Sequence, residues 1–438
     1  MKKIIALICS AVMVLSLAAC GGNGNNTGKG IEETSSEGND TSTKEVTLSL
    51  GYWDTNQKDT MEKVTAAFTE KYPNIKVELE YTPYKGSEYW TKLEASATGG
   101  TAPDVFWMNG LHIEVYVEGE MLLPLDTALK DQGIDIASEF PKTLGELYSH
   151  DGVQYGVPKD FDTNAVWYNK EIFDNAGVAY PTDDWTWDDM VNIAKQLTDS
   201  NSGIYGIAAP IDCQTDYYNT VFAAGGYVLN DDKTASGYTL PGTIKGIQSW
   251  IDLINEGISP TAGQLTDTSA DAYFESGKLA MVWAGSYMTA EYLGNELIAD
   301  KIDLVETPSF EGKKGNVING LAYCAYAKSK HPKEAAQLAV FLGSDEAQKI
   351  QGEAGAVISA KTNAQQYFAE AQPQINLKAY TNQADIAGLF PCSLVSSELL
   401  DIEAQYLAEA YAGNMTVEEA CKKIAEEVDP LLQKAYGK

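Results

Sequence analysis

Aromatic rings set beside carboxylates and amides are the residues of this chain with the clearest chemical promise. Trp53-Asp54, Trp107-Met108-Asn109 and Asp160-Phe161-Asp162 repeat the pairing, and Tyr84 and the stretch from Trp283 to Tyr287 add further rings at strand ends. An aromatic face is electron-rich, so it attracts the weakly positive C–H face of a pyranose. Asp and Asn supply the acceptors and donors that a rim of sugar hydroxyls needs. The balance of 25 tyrosines against 11 phenylalanines favours rings with a polar edge, as a wet binding surface requires.

A hydrolytic reading of the same carboxylates is weaker. Asp160 and Asp162, two residues apart on an extended strand, share one face of it. The acid and base of a glycoside hydrolase instead flank the scissile bond from either side. A hydroxyl-gripping or hinge role is expected for them, and no catalytic residue is assigned. Three histidines without paired spacing give no zinc pattern, so neither metal nor cofactor is expected.

Composition narrows the ligand. All 31 basic residues are lysines, and arginine is absent. Its planar fork is the usual grip on carboxylates and phosphates. A neutral solute is therefore expected, with a polyamine or other cation as the alternative, since rings beside carboxylates also suit a cation. The formal net charge of −31 argues against nucleic acid and anionic lipid surfaces as partners. Cys213, Cys324, Cys392 and Cys421 are far apart, with no C-x-x-C spacing. Free thiols are the expectation, and a disulfide among them stays open.

Hydropathy patterning supplies the scaffold. Val46, Leu48, Leu50 and Tyr52 alternate as in a strand. Met61, Val64, Phe68 and Tyr72 recur at helical spacing, and Ile75, Val77, Leu79 and Tyr81 alternate again. Such a strand–helix–strand unit predicts a parallel, open α/β sheet. A helix around Trp90, Leu93 and Ala97 and a strand over Pro103–Met108 extend it. Val153–Val157, Ala165–Tyr168 and Ala280–Trp283 read as further strands. Helices are predicted to start at Thr186, Pro332 and Thr416, the first and last with capping-box spacing. Ligands of open sheets sit beyond the carboxyl ends of the strands. Trp53-Asp54, Tyr84, Trp107, Asn109, Trp283 and Tyr287 fall at such ends.

The N-terminus predicts location. Met1-Lys2-Lys3 precedes an apolar run from Ile4 to Leu17 and then Leu17-Ala18-Ala19-Cys20. This reads as a secretion signal over residues 1–19. The placement of Cys20 resembles the lipobox of bacterial lipoproteins, which implies a diacylglycerol on its thiol and a stable membrane anchor. Residues 20–45, rich in Gly, Asn, Ser and Thr, follow as a flexible tether with a reach of roughly 25 Å. About 390 residues remain, too many for one ordinary core, so two lobes are expected.

The stretches PDVFWMN, YGVPKDFDTNAVWYNKEIFDNAGV, PTDDWTWDDM, FESGKLAMVWAGSY and SKHPKEAAQLAVFLGSDEAQ, in this order, resemble the extracellular sugar-binding proteins of ABC importers, the group typified by maltose-binding protein. The resemblance runs from about Val46 to the C-terminus. It implies a two-lobed periplasmic-binding-protein-like α/β fold, with helices on both sheet faces and a ligand cleft between the lobes. It places Trp53, Asp54, Trp107, Asn109, Asp160, Phe161, Trp283, Gly285, Ser286 and Tyr287 on that cleft. Tyr217, Tyr218, Asn319 and Phe390 are more weakly implied. The lobes are expected at 46–157 with 307–355 and at 158–306 with 356–438. The whole reads as a monomeric, lipid-anchored receptor on the extracellular face of the cell membrane. It would carry a neutral oligosaccharide to an ABC permease.

Overall fold

The computed structural model describes residues 44–84 and 88–437. The signal, Cys20 and nearly all of the tether lie outside the described residues. Within them the strand Val46–Tyr52 pairs in parallel with Ile75–Tyr81 and with Val105–Asn109, as the patterning predicts. The helix Lys58–Lys71 joins the first two strands and buries Met61, Val64 and Phe68.

The sheet then departs from the parallel expectation. Val317–Ala325 inserts antiparallel between Val105–Asn109 and Gly156–Asp162. Ile358–Ser359 closes that edge, and Gly388–Leu389 lies beside the start of Val317–Ala325. The reversal has a topological cause. Val317–Ala325 enters from a second sheet instead of through a crossover helix, and a returning chain runs the other way.

The second sheet orders Ile302–Glu306, Asn164–Asn169, Leu279–Gly285 and Tyr205–Ile207. Its first two pairings are antiparallel and the last parallel. Side chains alternate strictly across it. Ala165 and Trp167 join one core with Phe368 and Tyr380, while Val166 and Tyr168 join another with Trp187 and Trp250. The helices Ser396–Tyr411 and Val417–Tyr436 complete that second core.

Helix starts follow their signals. Thr186 with Asp189 and Thr416 with Glu419 form full capping boxes, and Pro332 opens Pro332–Phe341. The strand expected over Val153–Val157 is instead two. Val153–Gln154 folds back on Ser149–His150 across Asp151 and Gly152, both at positive φ, and Gly156 begins the next strand. The two-residue turn with positive φ at both positions is what a tight hairpin requires.

Two backbone passages join the sheets directly. Gly156–Asp162 of the first sheet continues through Thr163 into Asn164–Asn169 of the second. Ile302–Glu306 returns through Asn316 to Val317–Ala325. A fully buried amide cluster straps these passages together. The Asn164 backbone N–H donates to Asn316 Oδ1 at 2.9 Å, and Asn316 Nδ2 donates to the Asn164 carbonyl at 2.8 Å. Gln383, from a third stretch of chain, donates to the same carbonyl at 3.1 Å and accepts from Asn316 Nδ2 at 3.1 Å.

Among the described residues Cys213, Cys324, Cys392 and Cys421 are free, and no group of three metal-ligating side chains occurs. No described helix is long and apolar enough to cross a membrane.

Candidate functional site

Two adjoining cavities, of about 270 and 200 Å³, open at the strand ends of both sheets and share Tyr287 and Met288. Together they fall within the roughly 300–1,000 Å³ of small-molecule sites. Trp53, Asp54, Tyr84, Asp160, Phe161, Asp162, Ser286 and Tyr287 line the first. Asp212, Thr215, Asp271, Trp283 and Tyr287 line the second.

Each group is fixed by its element. Trp53 lies just past the strand Val46–Tyr52 and sits edge-on to Trp107, with ring centroids 5.1 Å apart, while Tyr84 tilts over it at 5.5 Å. Asp54 accepts from the Asn56 backbone and from Gln57 Nε2, both at 2.9 Å, and so caps the turn that follows. Below these, the fully buried Lys159 ammonium lies 4.2 Å from the Trp107 ring centroid, donates to Gln57 Oε1 at 2.7 Å and pairs with Asp160. Burial pulls the Lys159 pKa down, and the Asp160 charge opposes that pull. Asp160 also accepts from the Leu321 backbone, so it buttresses the wall from behind.

Asp162 accepts from Gln214 Nε2 at 2.7 Å, and Gln214 in turn accepts from Asn319 Nδ2 at 3.1 Å. Burial, reinforced by the nearby Asp160 charge, raises the Asp162 pKa well above the usual carboxylate range. Tyr287 is 39 % exposed and Tyr84 48 % exposed, so both offer ring surface to a ligand. The Tyr287 ring lies close against Gly285, where a Cβ would come to 2.3 Å from it. Ser286 is 1 % exposed and lines the first cavity, and its Oγ has no partner among the described residues.

Several residues singled out from sequence are placed elsewhere. Trp107 is fully buried under Trp53, because both faces of its strand are covered. Asn109 caps the helix Gly110–Glu118 and accepts from the His112 backbone. Tyr217 and Tyr218 are buried in the core near Glu403. Trp283 is 4 % exposed and packs on Trp187 and Trp250, so it floors the second cavity instead of standing in it. Asn319 reaches the site only through Gln214. Conversely, Gln57, Glu291, Asp212 and Asp271 line the cavities and were not anticipated. Gln57 and Glu291 follow flagged residues closely in sequence. Asp212 and Asp271 carry no comparable signal.

A larger cavity, of about 690 Å³, lies between the helix Gly110–Glu118, the stretch 227–233 and Phe390–Cys392. Helix faces and loops dominate its walls, and the ion pair Lys233–Glu114, at 2.9 Å, joins two of them. The strand-end pair is the better candidate, since it joins stacking rings to carboxylates where open sheets present ligands.

The sequence pattern of the bacterial extracellular solute-binding proteins matches residues 53–349. The chain belongs to that family. Among relatives of this solute-binding protein is the galactooligosaccharide-binding protein of Bacillus subtilis, 26 % identical over 80 % of this chain and 79 % of its own. An ABC substrate-binding protein from Listeria monocytogenes, solved in complex with cycloalternan, superposes with a TM-score of 0.80. It is 23 % identical and covers 90 % of this chain and 99 % of its own. A maltose-bound Thermotoga maritima protein superposes at 0.73, with 20 % identity, covering 88 % and 100 %. The solute-binding protein thus has the two-lobed periplasmic-binding-protein-like fold, and this family and these neighbours are binding proteins, not enzymes.

Proposed function

We propose that this solute-binding protein is a lipid-anchored extracellular receptor, monomeric, that binds an oligosaccharide lacking carboxylate and phosphate and delivers it to an ABC permease. The observation that carries the sugar reading is the exposed ring surface of Tyr287 and Tyr84, with Trp53 beside it, ranged around carboxylates in one cleft. Sugar-binding relatives support it. Sheet membership guides the lobes we assign. One is built on the first sheet, and the other on the second sheet with the C-terminal helices. Closure of the two over the solute would present it to the permease. Cys20, if lipidated, raises the effective concentration of the receptor beside that permease.

The test is a thermal-shift panel of oligosaccharides on the wild type and Tyr287→Ala. Saturating ligand at a hundredfold excess over Kd stabilises by about 2.7 kcal/mol, a readily visible rise in Tm. Tyr287 is part-exposed, so the variant is expected to fold and to lose most of that rise. A full rise in the folded variant would remove Tyr287 as a stacking platform. A wild type that responds to no sugar would remove the sugar reading.

A further inference from the structure

The described walls of the paired cavities carry Asp54, Asp160, Asp162, Glu291, Asp212 and Asp271 and no lysine. Among the described residues only Asp160 of this set is ion-paired, to Lys159 beneath it. The others that have partners are bonded to neutral donors. Asp54 takes Gln57 Nε2, Asp162 takes Gln214 Nε2, Asp212 takes the Gln214 and Thr215 backbone, and Asp271 takes the Tyr292 hydroxyl. Neutral donors satisfy lone pairs and supply no compensating charge. Ser286, on the wall of the first cavity, adds a buried Oγ that has no partner among the described residues.

We propose that the solute is an oligosaccharide bearing a protonated amine, and that Asp212 and Asp271 hold the amine in the second cavity. This rests on the sugar reading above and narrows it. The two carboxylates face the same 200 Å³ space, between the ring of Tyr287 and the buried Trp283. An ammonium placed there gains both charges in a partly desolvated setting, where attraction is stronger than in water. The sugar rings keep the aromatic faces of Tyr287, Tyr84 and Trp53. A bare polyamine would use the same carboxylates and could set its ammonium groups on those faces, so spermidine is tested separately. Burial chiefly, with a smaller contribution from the Asp212 charge, raises the Asp271 pKa, and a cation between the two carboxylates would oppose that shift.

The experiment is calorimetric titration of the purified protein with neutral oligosaccharides and their amino-sugar counterparts, matched in length and linkage, with spermidine as a separate arm. An amino sugar is expected to bind about tenfold or more tightly than its neutral match at low salt. The preference should shrink in 0.5 M NaCl, roughly the regime where charges are heavily screened. It should also shrink in Asp212→Asn and Asp271→Asn, each of which keeps its acceptor oxygen. Neutral sugars that bind as well as their amino matches would overturn the inference and leave the sugar reading standing. So would a preference that survives in both folded variants. Spermidine binding without any sugar binding would overturn both, as would a panel in which no sugar binds.

Discussion

At Gly285 a single hydrogen in place of a side chain decides where an aromatic ring can lie. The Tyr287 ring occupies the space that a Cβ would take. Gly285→Ala is therefore expected to push Tyr287 off its resting place and weaken solute binding about as much as Tyr287→Ala, with a much smaller loss of Tm. Calorimetry of the two variants side by side checks this, and wild-type affinity in Gly285→Ala would refute it. The same stretch shows what could be read in advance. Rings near strand ends are visible as letters, and Trp53, Tyr84 and Tyr287 were singled out in that way. Which ring faces the cavity was not. Trp107 and Trp283 lie inside strands covered on both faces, whereas Trp53 and Tyr287 lie past the last strand residue. One or two positions of chain thus separate a wall from a foundation.

Within the helix Ser396–Tyr411, Glu403 is a charged side chain buried in an apolar core. The hydroxyls of Tyr218 and Tyr238 donate to its two oxygens at 2.9 and 2.7 Å. Burial outweighs these bonds and pushes its pKa up to about 7, against an ordinary 4.5. A raised carboxylate pKa means that the fold holds the proton more tightly than the unfolded chain. The resulting stability is complete below about pH 4.5 and is lost as pH rises through about 7, on the order of 3 kcal/mol in all. Glu403→Gln, neutral throughout, should lack this term. Urea denaturation at pH 5 and pH 8 is expected to show the wild type losing ground to the variant at the higher pH. A wild-type-to-variant gap equal at both values would discard the argument. The helix itself forms from local periodicity without a side-chain N-cap, whereas those that start at Thr186 and Thr416 add capping boxes. The antiparallel strand Val317–Ala325 was not legible as such, because its direction depends on a partner far away in sequence.

For the molecule as a whole, the joint between the sheets depends on side-chain amides. Asn316→Ala removes the acceptor of the Asn164 backbone N–H and a donor to its carbonyl, both fully buried. The N–H is orphaned while the carbonyl keeps its bond from Gln383, and one orphaned buried group costs about 1–3 kcal/mol, so a loss of about that size is expected from the denaturation midpoint. A loss below about 0.5 kcal/mol would show that the strap is dispensable. The two-lobed architecture was legible from chain length and from the family resemblance. The strap was not, since Asn164, Asn316 and Gln383 look like ordinary polar residues until the chain brings them together.

Under the closure proposed above, the strap would serve as an axle of the joint. Bonds laid across neighbouring chains resist sliding of one past another and leave turning about their line as the softest motion. On a turning body, displacement grows with distance from the axle. Asp162 is next to it in sequence, and the Ser286 backbone N–H is bonded to the Thr163 carbonyl at 3.2 Å. On such a motion these two groups would stay nearly still, while groups farther out would sweep an arc. The inner end of the cleft would then be a fixed gauge against which a solute is measured, and the outer end a jaw that travels.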